Sequence, residues 1–196
     1  MTSPRILCIH ASERPQGNTR VLFDQAIKGA ESAGAEIERI YVRELHFAPC
    51  DACGGCHDDG PCALQDDMTQ VYPLLRKCDR FLIASPIYFW SLPGRFKCLI
   101  DRCQRFWYEK YVLKQKVAQN PGGMERLGAF IAVCGHPNGD LMFSPAEKII
   151  KAWLNCLDAT LAHTLYVPDT DKPADILKKP GVMAKALEIG RTLAVT

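Results

Sequence analysis

The stretch RILCIHASERPQGNTR, residues 5–20, decides the fold. Arg5 to His10 is a short β-branched and apolar run of strand type. Ala11 to Asn18 is a polar loop containing Pro15 and Gly17. From about Thr19 the apolar residues fall at helical spacing, at Leu22, Ala26, Ala30 and Ala33, and Gly34 supplies a stop. A buried strand that feeds a helix through a polar loop is the opening unit of a parallel α/β sheet.

The same grammar repeats outward from that unit. Ala35 to Val42, Asp79 to Ser85 (DRFLIAS), Arg126 to Cys134 (RLGAFIAVC) and Leu161 to Val167 read as further strands. Asp66 and Asp67 stand at the positive end of a helix carrying Met68, Val71, Tyr72 and Leu75, and Pro73 predicts a bend or early break in it. A helix over about Gly94 to Phe106 buries Phe96, Leu99, Ile100 and Cys103. Ser144-Pro145-Ala146-Glu147 has the form of a capping box with proline at the first helical position, opening a helix with Ile149, Ile150, Trp153, Leu154 and Leu157. A last helix is entered through Pro180 and carries Val182, Ala186, Ile189 and Leu193. Strands and helices alternate five times, and near-continuous apolar strands belong to a sheet covered on both faces. The expectation is an α/β three-layer sandwich around a five-stranded parallel sheet, as one domain over residues 1–196 with an insertion at about 47–65.

Composition narrows the function classes. The chain has 196 residues with 47% apolar and 23% charged, which excludes disorder, collagen and coiled coil for the whole. Twenty-four Lys and Arg against 22 Asp and Glu leave a net charge of +2, with no basic run of nucleic-acid type. No apolar run approaches the roughly 20 residues of a membrane span, and the first residues do not read as a signal peptide, so a cytoplasmic location is expected.

In an open parallel sheet, ligands bind beyond the carboxyl ends of the strands. Three marked loops lie there. The first, Ser12 to Thr19, offers hydroxyls at Ser12 and Thr19, amides at Gln16 and Asn18, the Arg14 guanidinium and the N–H groups of a helix start, which together suit a phosphate monoester. It has neither the Walker nor the GxGxxG pattern, and a plain polar loop capping a helix has the same composition. The second, Pro86-Ile87-Tyr88-Phe89-Trp90, puts three consecutive aromatics after a buried strand, suited to a flat heteroaromatic or to a subunit interface. The third, Gly135-His136-Pro137-Asn138-Gly139-Asp140, lets backbone approach a ligand at Gly135 and Gly139, with His136 as a contact or as a solvated side chain.

Ten cysteines form the anomaly, four of them as C-x2-C-x2-C-x5-C at Cys50, Cys53, Cys56 and Cys62. A reducing compartment argues against a disulfide framework. Clustered thiolates suit zinc or an iron–sulfur cluster, and consecutive x2 spacing favours a 4Fe–4S cluster, with Gly54, Gly55 and Gly60 allowing a tight wrap. The ferredoxin pattern has proline after its last cysteine, whereas here Pro61 precedes Cys62. His57 is an alternative ligand if the metal is zinc.

HASERPQGNTR at 10–20, the cysteine motif running into DDM at 66–68, and SPIYFWSLPGRFKCLIDR at 85–102 together resemble the iron–sulfur flavoproteins, a branch of the NAD(P)H-dependent FMN reductases with the flavodoxin-like fold. The resemblance covers nearly the whole chain. It implies strand order 2-1-3-4-5 and FMN as cofactor. It also implies that Ser12, Arg14, Asn18 and Thr19 hold the phosphate, that Pro86 to Trp90 line the ring, and that the loop from Gly135 covers its other side. Further implications are a 4Fe–4S cluster on the four cysteines and a homodimer or homotetramer. The function so implied is coupling of one-electron and two-electron partners, such as ferredoxin, a small-molecule acceptor or NAD(P)H, with no side chain acting as nucleophile. Two other functions fit the residues: a cluster-free NAD(P)H-dependent FMN or quinone reductase, and a non-enzymatic adaptor or carrier with a zinc loop.

Overall fold

A computed structural model of the chain describes residues 3–57, 60–121, 123–137 and 140–195. Five strands, β1 (Arg5–His10), β2 (Glu36–Tyr41), β3 (Arg80–Pro86), β4 (Leu127–Val133) and β5 (Thr160–Val167), form one sheet. All neighbours are parallel and the order is β2-β1-β3-β4-β5, the expected arrangement. The helices are α1 (Asn18–Ser32), α2 (Met68–Lys77), α3 (Gly94–Asp101), α4 (Gln104–Tyr111), α5 (Asp140–Cys156) and α6 (Pro180–Val195).

Alternation along the central strands divides the core in two. Leu7, Ile9, Phe81, Ile83 and Phe130 face α2 to α5, where they meet Met68, Leu75, Phe96 and Trp153. Ile6, Cys8, Leu82, Ala129 and Ile131 face α1 and α6, against Leu22, Phe23, Ala186 and Leu193. Every residue of β3 and β4 is buried, as a sheet shielded on both faces requires. The second shield is unusually close. A Cβ on Gly190 of α6 would lie 1.8 Å from the Ala26 carbonyl oxygen of α1, and one on Gly29 would lie 1.9 Å from that of Leu187. The two helix backbones therefore touch where each has no side chain.

Three local expectations need correction. Pro73 does not break α2, which runs on to Lys77. Both Pro73 and Thr69, whose carbonyl loses its i+4 donor, are exposed, so water serves that carbonyl. Ser144 to Glu147 do not open a helix, because α5 already begins at Asp140 and carries Pro145 inside it. The carbonyl that Pro145 cannot serve belongs to Leu141, which is 72% exposed. The helix expected over Gly94 to Phe106 divides at Arg102 and Cys103 and resumes as far as Tyr111. At the break, Cys103 N–H bonds back three residues to Ile100 at 2.9 Å, and the Tyr72 hydroxyl donates to the Arg102 carbonyl at 3.2 Å.

Two buried cationic or titratable groups sit at opposite ends of the sheet. Arg126 is 3% exposed, and its guanidinium donates to the carbonyls of Leu75, Cys78 and Leu157, so it closes the carboxyl ends of α2 and α5. Burial pulls its pKa down to about 10. At the other end, His10 is fully buried between Phe23 and Tyr41, with ring centroids at 5.3 and 5.8 Å. Neither of its nitrogens has a partner among the described residues. Burial, reinforced by the nearby Arg20 charge, pulls its pKa from 6.5 down to about 4.

Gly190→Ala is expected to destabilise the fold by about 3 kcal/mol or more, because backbone rather than a flexible side chain must move. Gly181→Ala, where a Cβ meets nothing within 4 Å, is expected to be neutral or to stabilise by up to about 1 kcal/mol. Urea unfolding of the two variants separates these outcomes. For His10 the folded pKa lies below the unfolded one, so stability is intact above the unfolded value and falls as pH drops toward the folded one. The loss expected between pH 6.5 and about 4 is roughly 3 kcal/mol, and His10→Leu flattens that part of the curve of stability against pH.

Candidate functional site

The loops after β1, β3 and β4 meet at the carboxyl edge of the sheet around a cavity of about 130 Å³. Of the residues expected from sequence, Ser12, Arg14, Asn18 and Thr19 line it from one side, and Pro86, Ile87, Tyr88 and Gly135 line the rest. The cavity lies against the start of α1. No side chain caps that helix, Gly17 is its N-cap, and no acidic residue occupies the first turn. Its positive end is thus left to whatever occupies the cavity. The Ser12 hydroxyl accepts the Arg14 N–H at 3.2 Å, which curls the loop around the helix start.

Gly17, Thr170 and Asp171 also line this cavity and were not singled out by sequence. The segment after β5 reaches it because Asn18 holds it there. The Asn18 side-chain N–H donates to the Lys172 carbonyl at 2.9 Å, and its carbonyl accepts the Ile176 N–H at 3.3 Å. Asn18 is therefore a strut between two loops, with both its polar atoms engaged. Arg14 reaches the same segment, donating to the Asp171 carbonyl at 3.2 Å. The Lys179 ammonium gathers the oxygens of Pro168, Asp169 and Thr170. Gly135 is packed so closely that a Cβ would come to 3.0 Å from that of Asp171. No signal in the sequence marks 168–172 beyond a polar loop; its role depends on contacts more than 150 positions apart.

The aromatic loop forms a two-residue turn. Tyr88 and Ser91 exchange both backbone hydrogen bonds at 2.9 Å, and the central residues, Phe89 and Trp90, have φ of 48° and 65°. That left-handed pair normally calls for Asn or Gly, so two bulky aromatics hold it against a steric cost. Phe89 is 100% exposed and Trp90 50%. Neither lines the cavity, and nor do Gln16 or His136, all of which are exposed. The His136 carbonyl accepts the Asp169 N–H at 3.2 Å. Gly139 lies outside the described residues.

All four clustered cysteines line a second cavity, of about 370 Å³. Cys50 and Cys53 are exposed, and Cys56 and Cys62 are half-buried. Asp51 accepts the Cys53 N–H at 3.2 Å, Gly54 takes φ of 76°, and His57 N–H closes a turn onto Gly54 at 3.0 Å. The His57 ring stacks on Tyr108, at 4.6 Å and 8°. Burial pushes the Cys56 thiol up; Cys62 and Cys50 push the same way and Arg105 opposes them. Among the described residues, no three His, Cys, Asp or Glu side chains converge on a single-ion point.

Two arginines form the inner wall of this cavity. The Arg102 side chain is 1% exposed and grips Asp66 with two bonds, at 2.6 and 3.1 Å. It also donates to the Ala48 carbonyl at 2.8 Å, the Leu64 carbonyl at 3.4 Å and Cys62 Sγ at 3.4 Å. Burial pushes the Asp66 carboxyl up, but Arg102 and the amides of Ala48 and Met68 outweigh it and hold it below its ordinary value. Arg105 lies over the rings of Tyr72 and Phe106, at 5.1 and 5.7 Å. The Nε atoms of both arginines are buried without a partner among the described residues.

Comparison with known proteins places these features in a family. The family model described as NADPH-dependent FMN reductase matches residues 4–161. The chain is 31% identical over 135 residues to an iron-sulfur flavoprotein of Methanosarcina thermophila, covering 69% of this chain and 65% of that one. It is 27% identical over 145 residues to an iron-sulfur flavoprotein of Archaeoglobus fulgidus, covering 74% and 61% respectively. The chain thus spans just under two thirds of the length of these relatives. Among solved structures, an NAD(P)H:quinone oxidoreductase from Methanothermobacter marburgensis shares the fold with a TM-score of 0.73 at 14% identity, over 100% of this chain and 98% of that one. A flavone reductase does so with a TM-score of 0.67 at 20% identity, over 97% and 62%. Sheet order, strand-end loops and sequence likeness agree, and the chain belongs to the NADPH-dependent FMN reductase family, on the branch that includes the iron-sulfur flavoproteins.

Proposed function

We propose that the chain is an FMN-dependent oxidoreductase that also carries a 4Fe–4S cluster and exchanges electrons between one-electron and two-electron partners. The observation that carries this reading is the pair of cavities. One stands at an uncapped helix start with Arg14 and Ser12, and the other is lined by all four clustered thiols.

The residues present fit an FMN phosphate. The first cavity combines a helix start free of acidic residues with a guanidinium, a buried hydroxyl and the close backbone of Gly17. Ser12, Arg14 and the α1 amides would hold the phosphate, while Asn18 and Lys179 keep the facing loop closed over it. Tyr88 and the backbone from Pro86 onward would border the ring, and the loop N–H groups there would favour negative charge on it. The second cavity, of about 370 Å³ and lined by all four thiols, has room for a group of several atoms. Arg102 and Arg105 in its lining suit an anionic group rich in sulfur acceptors. FMN takes up one or two electrons whereas a 4Fe–4S cluster passes one at a time, which is the chemistry the pair would supply. The fully exposed Phe89 at a strained turn supports assembly into a homodimer or homotetramer. NAD(P)H, ferredoxin or a small-molecule acceptor would serve as redox partners.

Protein purified without oxygen is expected to show flavin bands and about four irons and four sulfides per chain, the content of one cubane. Flavin without iron or sulfide after anaerobic reconstitution would leave a plain FMN reductase. Cys53→Ser is expected to lose iron and sulfide while retaining flavin, read by elemental analysis and absorbance. Arg14→Ala is expected to weaken FMN binding by about ten- to a hundredfold, the range for one charge-assisted hydrogen bond, measured by quenching of flavin fluorescence on titration into apoprotein.

A further inference from the structure

We propose that Arg102 is a positioning residue for the cysteine loop, shaping the loop's two ends and singling out Cys62 electronically. The inference rests on the cluster reading above and goes beyond it, because four cysteines and a spacing do not by themselves say how a surface loop keeps its shape or whether its ligands are equivalent.

The guanidinium stands where the loop begins and ends. Its Nη1 holds the carbonyl of Ala48, two residues before Cys50, and its Nη2 holds that of Leu64, two residues after Cys62. Asp66 completes the clasp from the other charge. Its carboxylate takes both arginine nitrogens, the Ala48 N–H at 3.2 Å and the Met68 N–H of α2 at 3.1 Å. Loop entry, loop exit and the first turn of α2 are therefore tied to one ion pair whose arginine side chain is 1% exposed. The arginine is fixed from behind as well, since its carbonyl accepts the Tyr72 hydroxyl at 3.2 Å. Lysine could supply the charge, but it has no planar fork able to serve two carbonyls and a carboxylate together.

The second part of the inference concerns sulfur. Arg102 Nη2 lies 3.4 Å from Cys62 Sγ, a charge-assisted contact that none of the described hydrogen bonds gives to the sulfurs of Cys50, Cys53 or Cys56; Cys56 has a backbone amide beside it instead. A hydrogen bond to a ligand sulfur stabilises the more negative, reduced state of a cluster, so this contact raises the reduction potential. Cys62 is thereby the ligand through which Arg102 adjusts that potential.

Two variants test this. Arg102→Lys keeps the charge and removes the fork. Arg102→Met combined with Asp66→Asn removes a buried ion pair at constant net charge, and the asparagine can still accept the Ala48 amide, so the fold is expected to survive. Both are purified anaerobically, reconstituted with iron and sulfide, and compared with the unaltered protein by circular dichroism, iron and sulfide content, and the midpoint potential read from the electron paramagnetic resonance signal of the reduced cluster. The expected result is slower or incomplete cluster uptake in the double variant at unchanged helix content, and a midpoint potential more negative than that of the unaltered protein. Arg102→Lys is expected to lie between. A merely structural arginine would alter uptake without moving the potential. Equal uptake and equal potential in all three proteins would overturn the inference while leaving the cluster in place. Absence of iron and sulfide from the unaltered protein would overturn the cluster reading and this inference with it.

Discussion

The whole arrangement depends on one constraint: the three central strands are shielded on both faces. Between Ile6 and Ile9, and throughout β3 and β4, no residue is exposed. A sheet of this kind has no face on which to place polar chemistry, because an unpaired polar group there would lose its water without gaining a partner. Polar groups are driven to the strand ends. At the amino ends, the Arg80 and Arg126 guanidinium groups donate to carbonyls of the surrounding segments. At the carboxyl ends, the loops after β1, β3 and β4 are left with Ser12, Arg14, Tyr88 and Gly135 around one cavity. His10 marks the boundary, the last residue of β1 and already fully enclosed.

The two cavities share no lining residue, yet one short helix serves both. Near the start of α3, Arg95 donates to the Leu45 carbonyl at 2.8 Å and lies 3.7 Å from the Glu13 carboxylate in the loop after β1. Just past its end, Arg102 clasps the cysteine loop. Seven residues at helical rise separate these arginines by roughly 10 Å along the axis. Since Leu92 and Pro93 alone separate the aromatic turn from α3, the turn and the cysteine loop lie at opposite ends of one helix.

Much of this was legible in the sequence, and the remainder was hidden for definable reasons. Strands such as DRFLIAS are readable because a doubly shielded strand must be apolar throughout. The buried residues expected of α2, Met68, Val71, Tyr72 and Leu75, are the ones observed, since its helical period is strong. Pro73 and Pro145 misled because the cost of a proline depends on whether water reaches the carbonyl it abandons, and exposure is a tertiary property. Arg102 was concealed inside a stretch that reads as continuous helix, and the break shows in tertiary contacts such as the Tyr72 hydroxyl at its carbonyl. Thr170 and Asp171 were invisible for another reason: nothing local distinguishes them, and Asn18, which draws their loop in, reads equally as a cap.

The contact of α1 with α6 through Gly29 and Gly190 bears on how the chain is made. During translation the sheet is complete in sequence once Val167 has emerged, and α2 to α5 are already available to cover one face. The opposite face, with Ile6, Leu82, Ala129 and Ile131, has only α1 until α6 follows. Because the two helices meet backbone to backbone, with Leu187 seated over Gly29 and Gly190 over Ala26, loose apolar collapse cannot stand in for α6. A chain cut off before Pro180 would therefore present a complete sheet with half of one surface bare, a species prone to associate with other chains.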